Sequence, residues 1–295
     1  MSVGLGEVGI MTDSKAMRHN AIVNGVSIGI PFVGTLVGLL SSGFSAPTST
    51  TVFLFLVFFL FNLIGVSVGL HRYFSHHAFE TSALVRWLLG ILGTWAMQGP
   101  IDRWVADHRR HHRFSDQPLD IHSPYWSRQE KITSGFMRFA HAHVLWMFVE
   151  WPTDTRLYAK DIISDPISRG CSRWYWPICA TSLVVPAMIG YGMGGSDEAV
   201  RAFFWAGCLR ISLMQQLTWT VNSLGHMFGG KTEGSRDESR NMHWGVTLVF
   251  LGEGLHSYHH AHQRTAVNQP ASLDLAGSLI TFLETIHVVW KVQRF

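Results

Sequence analysis

A run of uncharged residues, 51–70, ends immediately before the first of three histidine clusters. Its first half contains the sequence Val-Phe-Leu-Phe-Leu-Val-Phe-Phe-Leu-Phe. An α-helix needs roughly 20 apolar residues to cross a bilayer, so this run predicts a membrane helix. Because histidine is the commonest side-chain metal ligand, the adjoining cluster predicts a metal site at the face of the membrane.

The composition agrees with an integral membrane protein. Of the 295 residues, 47% are hydrophobic and only 15% are charged, whereas a soluble domain usually carries about 25% charged residues. The mean hydropathy is +0.16. A net charge of +3 is too small to indicate nucleic acid, so we predict contact with membrane lipids and no nucleic-acid partner.

Three further stretches are long and apolar enough to span: residues 21–44, 174–193 and 200–224. The shorter apolar piece 83–99 ends at Pro100 and is predicted to be interfacial or buried in protein. The sequence therefore predicts four transmembrane helices, with 51–70 as the second.

The basic residues set an orientation. The connectors 45–50 and 194–198 contain no Lys or Arg, whereas the stretch 71–173 is rich in Arg. The positive-inside rule therefore places both termini and the middle of the chain in the cytoplasm. All three histidine clusters then lie on the same side of the membrane, which predicts one shared site.

The histidine spacings indicate more than one metal. Spacings of three and four residues put side chains on one face of a helix, whereas the five-residue spacing in the first cluster fits one face less well. Eight such histidines exceed the needs of one metal, so two metals are predicted. Imidazole ligands suit Zn, Cu, Fe or Ni and leave the element open. The histidines are His71 and His76; His108, His111 and His112; and His256, His259 and His260.

These boxes, in this order, resemble those of the membrane fatty-acyl desaturase family, in particular its stearoyl-CoA (Δ9-type) branch. The supporting motifs are Gly-Leu-His-Arg-Tyr-Phe-Ser-His at 69–76, Asp-His-Arg-Arg-His-His-Arg-Phe-Ser-Asp at 107–116, Asn-Ser-Leu-Gly-His at 222–226 and Gly-Glu-Gly-Leu-His-Ser-Tyr-His-His at 252–260. The resemblance covers roughly residues 51–295.

The resemblance implies an all-α, mushroom-like fold in one domain, 1–295. Four membrane helices would carry a cytosolic helical cap, about 71–173 and 225–295, and the cap would hold two iron ions. Asn222 would hold one iron through a water molecule. The implied ligands are His71, His76, His108, His111, His112, His226, His256, His259 and His260.

The resemblance also implies the chemistry. The irons would use O2 and two electrons from an external donor, ferredoxin-like or cytochrome b5-like, to introduce a double bond into an acyl chain. The active site would lie on the cytoplasmic side of a multi-pass membrane protein. Asp107, Asp116 and Glu253 are the acids nearest the boxes and are predicted to orient imidazoles. Phe55, Phe59 and Val66 are predicted to line the apolar substrate tunnel that selects the reacting carbon.

The acyl carrier is left open between acyl-CoA and acyl carrier protein. Glu150 and Trp151 stand where animal acyl-CoA desaturases have a basic pair, and Ala106 stands where an Arg is usual. Losing contacts to the CoA phosphates favours acyl carrier protein or a lipid-linked chain. Bacterial relatives that act on acyl carrier protein include makers of terminal alkynes, so a terminal acetylenase is an alternative.

Other functions compete with desaturation. The same two-iron arrangement serves fatty-acyl and alkane hydroxylases. A zinc hydrolase would need only three or four ligands, and no His-Glu-x-x-His motif is present. A metal transporter would carry its ligands within the membrane helices, whereas these cluster at helix ends.

Overall fold

The computed structural model of the protein describes residues 4–41 and 45–294, which are mostly helical. Within these residues, three helical runs are long and apolar enough to cross a membrane: Ser14–Leu40, Ser49–Ser75 and Tyr175–His226.

Four helices form the first part of the chain: α1 (Ser14–Leu40), α2 (Ser49–Ile64), α3 (Ala83–Thr94) and α4 (Ile101–Phe114). Short helices follow: α5 (Gly135–Ala140), α6 (Trp146–Val149), α7 (Thr155–Tyr158), α8 (Lys160–Ser164) and α9 (Pro166–Arg173). The remaining α-helices are α10 (Tyr175–Ala202), α11 (Arg210–Ser223), α12 (Trp244–Val249), α13 (His256–Ala261) and α14 (Leu275–Thr285). Gly65–Ser75, His141–Leu145 and Phe203–Leu209 are π-helical, and Leu224–His226 and Ala271–Leu273 are 3₁₀ turns.

The first membrane helix begins earlier than predicted. The Asp13 side chain accepts a hydrogen bond from the Ala16 amide at 3.0 Å and caps α1 at Ser14, seven positions before the predicted start at residue 21. Such a cap satisfies an amide that would otherwise lack a partner. The last predicted residues of this span, 42–44, lie outside the described residues.

The second helix continues past its predicted end at residue 70. After Ile64 it becomes π-helical and runs to Ser75, so the first histidine cluster begins inside the helix with His71, and His76 directly follows its last residue. The consequence is that His71 is held on a membrane-length helix.

The third and fourth predicted spans form one helical run of 52 residues. The predicted connector 194–198 is a sharp bend instead of a loop, because Gly194 (φ −155°, ψ 18°) and Gly195 (φ 72°, ψ −160°) leave the helical region. The positive φ at Gly195 is one that a residue with a side chain rarely adopts.

Helix α3 is too short to span and packs against the upper part of the second helix. A Cβ added at Gly65 would lie 2.2 Å from the Leu92 carbonyl carbon and 2.4 Å from the Gly93 nitrogen. The two backbones therefore touch at the point where the second helix changes from α to π.

Replacing Gly65 with alanine is expected to lower the free energy of unfolding by about 1–3 kcal/mol, since the backbone of α3 cannot yield as a side chain would. A thermal unfolding comparison tests this. Gly29→Ala on α1 is the matched control, because a Cβ there meets nothing within 4 Å. Equal unfolding midpoints for the two variants would contradict the close packing.

Two small antiparallel strand pairs tie the cap together. Strand β1 (Glu80–Thr81) pairs with β4 (Val289–Trp290), and β2 (Trp126–Ser127) pairs with β3 (Glu130–Lys131). The first pair holds the end of the chain beside the segment that follows the second helix.

Candidate metal centre

The nine histidines implied as ligands come together in two groups. In each group the candidate ligand nitrogens all lie within 4.8 Å of one another. The first group is His71, His76, His108, His112 and His259, and the second is His111, His226, His256 and His260.

Helices α4 and α13 each contribute histidines to both groups. His108 and His112 are four residues apart and share a face of α4, whereas His111 is turned toward the second group. On α13, His256 and His260 likewise face the second group.

The π-helix explains the five-residue spacing of His71 and His76. In a π-helix the amide of residue i+5 bonds to the carbonyl of residue i, and the His76 amide lies 3.3 Å from the His71 carbonyl. Residues five apart therefore stack on neighbouring turns, and the two rings lie 5.0 Å apart. The sequence alone, read as an α-helix, predicted that this spacing fits one face less well.

The rings of each group face one another through Nε2. The Nε2 atom of His108 lies 2.7 Å from that of His76 and 3.0 Å from that of His112. The Nε2 atoms of His71 and His259 are 2.9 Å apart. In the second group, His226 and His256 are separated by 2.8 Å.

Six of these imidazoles are held in the neutral form. Burial, reinforced by the neighbouring imidazoles, lowers the pKa well below its usual value for these six: His76, His108, His111, His112, His256 and His259. A neutral ring that donates through Nδ1 presents only a lone pair at Nε2. Because such lone pairs repel at these distances, the donor set fits a cation held between them, and neutral imidazole is the form that binds metal.

Four carboxylates hold the Nδ1 sides of the rings. Glu253 lies 2.5 Å from Nδ1 of His71, and Asp116 lies 2.8 Å from Nδ1 of His226. Asp120 and Asp237 occupy the same position at His111 (2.9 Å) and His260 (2.6 Å). Such partners fix the orientation and tautomer of a ligand imidazole.

Asp107, which the sequence also predicted to orient an imidazole, has a different contact. Its Oδ1 accepts a hydrogen bond from the Thr153 hydroxyl at 2.6 Å. Although it is adjacent to His108 in the chain, it is rotated by about 100° on α4 and faces a cavity.

Sequence reasoning missed Asp120, Asp237 and His122. Asp237 lies in the polar segment 229–241, which has the composition of a flexible loop. His122 lies outside the three histidine clusters, but it stacks on His111 with ring centroids 4.1 Å apart. Burial lowers the pKa of His122 to about 3, so this ring is neutral as well. With His111 and Asp120 it forms a third cluster of potential ligands.

Two adjoining cavities reach the histidines. The smaller, about 400 Å³ of space between atoms, touches both groups, since His71 and His108 belong to the first group and His111 and His256 to the second. The larger, about 670 Å³ including its open mouth, shares Asn222 with it. Asn222, predicted to act through a water molecule, is thus in the wall of both cavities.

The residues predicted to line the substrate tunnel divide between two places. Val66 lines the smaller cavity. Phe55 and Phe59 stack on each other with ring centroids 5.7 Å apart. Among the described residues that line the two cavities, neither phenylalanine is present. Their position about two and three turns below Val66 on the second helix accounts for this difference.

Two hydrogen bonds between side chains lie where the two cavities adjoin. Gln98 donates a hydrogen bond to the Thr218 hydroxyl at 2.8 Å, and the Trp104 indole N–H donates to Gln98 at 3.3 Å. These side chains fix the shape of the passage between the two spaces.

Comparison with known proteins agrees with this site. The family model described as fatty acid desaturase matches residues 47–271. Over 268 residues the chain is 34% identical to a hex-5-enoyl-[acyl-carrier protein] acetylenase of Moorena producens, which covers 90% of this chain and 83% of that protein. It is 32% identical over 247 residues to an sn-1 stearoyl-lipid 9-desaturase of Synechocystis, covering 81% and 70% of the two chains. It is 30% identical over 208 residues to stearoyl-CoA desaturase 5 of Bos taurus, covering 68% and 58%.

The match covers most of the chain, including all three histidine boxes and the 222–226 motif. The predicted resemblance to Δ9-type desaturases and the predicted oxidoreductase class are confirmed. The long apolar helices agree with the membrane location of such enzymes. This chain belongs to the fatty acid desaturase family.

Proposed function

We propose that this protein is a multi-pass membrane desaturase that introduces a double bond into a thioester-linked acyl chain at a two-iron site. The observation that carries the proposal is the pair of buried groups of imidazoles, with ring nitrogens turned toward one another beside a cavity that touches both groups. When bound, the metal pair would supply activation of O2 for removal of two hydrogens from neighbouring carbons.

The nine histidines of the two groups would hold the two irons. The first group contains five imidazoles and the second contains four. Asn222, in the cavity wall beside the four-histidine group, would complete that group through a water molecule. Four imidazoles with open positions exceed the needs of a zinc hydrolase, which supports iron as the metal.

The carboxylates would keep the ligand set in place. Glu253 contacts His71 and also the guanidinium of Arg72 at 3.2 Å, and Arg72 in turn contacts Asp274 at 2.8 Å. Burial raises the pKa of Glu253, but its electrostatic and hydrogen-bond interactions with His71 and Arg72 outweigh burial, so the pKa falls and the carboxylate stays ionised. An ionised acid holds the Nδ1 proton of His71 and leaves Nε2 free for metal.

The cavities would hold the acyl chain. The wall contributed by Val66, Val221 and Phe250 is apolar, which suits methylene groups. The hydrogen-bonded Gln98 and Thr218 side chains would bend the acyl chain where it passes the histidines. This positioning would select the carbon atoms that react.

A four-span topology is supported by the bend at Gly194 and Gly195. It divides the 52-residue run into two limbs, each long enough to cross the hydrocarbon core. With α1 and the second helix this gives four crossings. The distribution of Lys and Arg supports a cytoplasmic location for the histidines, and the whole chain, 1–295, would form one catalytic domain with a cytosolic cap.

The thioester carrier is proposed to be acyl carrier protein or CoA. Relatives are named for acyl-carrier-protein, CoA and lipid substrates. Glu150, at a position where a basic residue would meet CoA, is buried and accepts a hydrogen bond from the Ser127 hydroxyl at 2.6 Å. That carboxylate supports the cap and would offer nothing to a phosphate, which favours acyl carrier protein.

A second function, conversion of a terminal alkene to an alkyne on acyl carrier protein, is favoured by one observation. The relative that shares 34% identity across 90% of this chain carries that activity in its name. The site described above would serve both reactions, because each removes two hydrogens from neighbouring carbons.

The test is a reconstituted assay with purified protein, O2 and a chemical reductant. Matched acyl-CoA and acyl-carrier-protein substrates are offered, and products are identified by mass spectrometry. We expect about two iron ions per chain and an O2-dependent loss of two hydrogens. A hydroxylated product, or a zinc-loaded protein active without O2, would overturn the proposal.

A further inference from the structure

A polar cleft on the outer side of α4 reaches the first histidine group from the side away from the acyl cavities. Its floor includes His76 and His112, and it encloses about 870 Å³ including open space. These two imidazoles therefore belong to the first histidine group and also line a cleft at the protein surface.

The rim of this cleft is basic. Arg109, Arg113 and Arg264 contribute three guanidinium groups, against the single carboxylate of Asp161. Arg109 is fixed in the wall: it contacts Asp161 at 2.6 Å and donates to the Ser75, Phe74 and Tyr158 carbonyls. Arg113 and Arg264 are exposed and come from separate segments, the end of α4 and the loop after α13.

The acyl chain enters from a different direction. The larger cavity and a neighbouring surface cleft share Arg103 and Asp107. On α4, Arg109 and Arg113 each follow one of these residues by six positions, which is a rotation of about 240° around the helix axis. Two macromolecules can therefore occupy the two sides of α4 at the same time.

We infer that the basic cleft is the docking surface for an acidic one-electron carrier protein, and that His76 and His112 would lie on the route by which electrons reach the metal held by the first histidine group. This inference rests on the proposed desaturation. The positive rim complements an acidic surface, and complementary charge speeds encounter and fixes orientation. The cleft brings the candidate ligands His76 and His112 to the side of the protein on which the carrier would dock.

The electron balance requires such a carrier. Forming the double bond releases two electrons and two protons from the acyl chain, whereas reducing one O2 to two waters takes four of each. The carrier supplies the other two electrons, one per encounter, and solvent supplies the other two protons.

The test compares two sources of electrons. Arg113→Glu/Arg264→Glu is assayed with a reduced acidic [2Fe–2S] ferredoxin and, separately, with reduced methyl viologen, a small cation. We expect the KM for ferredoxin to rise about tenfold or more, with unchanged turnover on methyl viologen and unchanged iron content. In the wild type, the KM for ferredoxin should rise with ionic strength.

Arg169→Glu/Arg236→Glu is the matched control, since both arginines are exposed, lie outside the cleft and change the charge equally. An unchanged KM for ferredoxin in the cleft variant would overturn the inference. So would a raised KM for the acyl carrier instead, because the rim would then bind the substrate. If the wild type gives no product with either reductant, the proposed function itself has failed.

A separate observation concerns the depth of the acyl cavities. On α11 the cavities are lined by Asn222, Val221 and Thr218, but the turn below contains Met214 and Gln215, which are 0% and 2% exposed. Gln215 donates hydrogen bonds to the Ser27 and Met97 carbonyls at 3.0 and 2.9 Å. The space is thus closed one turn below the histidines.

A polar layer fills the bundle still deeper. Arg210, which is fully buried, contacts the Asn62 side chain and lies 2.8 Å from both the hydroxyl and the carbonyl oxygen of Ser182. Charged groups at such depth are costly and satisfied only by this network. It therefore blocks an extension of the cavity between the second helix and α11.

We infer that Met214 and Gln215 limit how far the acyl chain can extend beyond the reacting carbons. From Asn222 to Thr218 the helix rises about 6 Å, which corresponds to roughly five methylene groups. This inference also rests on the proposed function. The substrate would extend no more than about five carbons beyond the reacting pair.

A chain-length series tests this limit. Acyl carrier protein loaded with chains of six, eight, twelve, sixteen and eighteen carbons is offered to wild type, Met214→Ala and Met188→Ala. Met188 is a control because it is 66% exposed on α10. We expect every wild-type product to have no more than about five carbons beyond its double bond, and Met214→Ala to give products with longer segments beyond it. A wild-type product with a clearly longer segment would overturn the limit, whereas no turnover of any chain would count against the proposed function.

Discussion

Replacing His226 with alanine is expected to abolish product formation and to lower the iron content from about two ions per chain to about one. His226 is fully buried, and its Nε2 lies 2.8 Å from that of His256. Its loss leaves three imidazoles in the second group and removes the imidazole that contacts the Asp116 carboxylate. Because loss of an orienting group alone typically costs 10–100-fold, removal of the ligand should reduce turnover by about 100-fold or more.

The measurement is metal content by mass spectrometry together with turnover on the preferred thioester. His243→Ala is the matched control: this histidine is exposed and accepts a hydrogen bond from the Gly245 amide at 3.2 Å, away from both groups. The control should keep two irons and near wild-type turnover. Full iron content and activity in the His226 variant would exclude His226 as a ligand.

His226 also shows what the sequence can and cannot predict about the site. Residues 108, 111 and 112 and residues 256, 259 and 260 have helical spacings, so the sequence predicts which of them share a face. His226 and Asn222 stand outside the three clusters, and only the resemblance to a known family pointed to them. Their position depends on where α11 ends relative to α4 and α13, which is a tertiary property.

The first cluster is an intermediate case. Its position at the end of an apolar run was predicted, but the pairing of His71 with His76 depends on a π-helix. That π-helix begins at Gly65, where the backbone of α3 touches the second helix. A local spacing rule contains no information about this contact, so the α-helical expectation was wrong at this point.

Acids near the boxes were predicted by distance along the chain, and this criterion worked only in part. Asp116 and Glu253 contact imidazoles, whereas Asp107 is on the wrong side of α4. Asp120 and Asp237 reach their histidines through loops. Contact across a loop is set by the fold, since the residues concerned are separated by 9 and 23 positions.

Asp237 lies in a segment with the composition of a mobile loop, yet the structure ties this segment to the site. The Glu238 amide donates to Asp116 at 2.9 Å, and the Thr232 amide donates to the Ser257 hydroxyl at 2.9 Å. Burial raises the pKa of Asp237, but the hydrogen bond and charge of His260 outweigh it, so the pKa falls well below its usual range. The ionised carboxylate therefore holds Nδ1 of His260 at 2.6 Å.

Asp237→Asn is therefore expected to lower turnover or iron affinity by about 10–100-fold while leaving the fold intact. The amide keeps the shape of the side chain but not its charge, so His260 loses the partner that fixes its tautomer. Iron titration of the metal-free protein and turnover at saturating iron would separate weak binding from misplacement. Glu233→Gln, an exposed acid in the same loop, should have no effect on either quantity. If the two variants behave alike, Asp237 does not orient His260. The loop would then only shield the site from solvent, and other contacts of α13 would orient this ring.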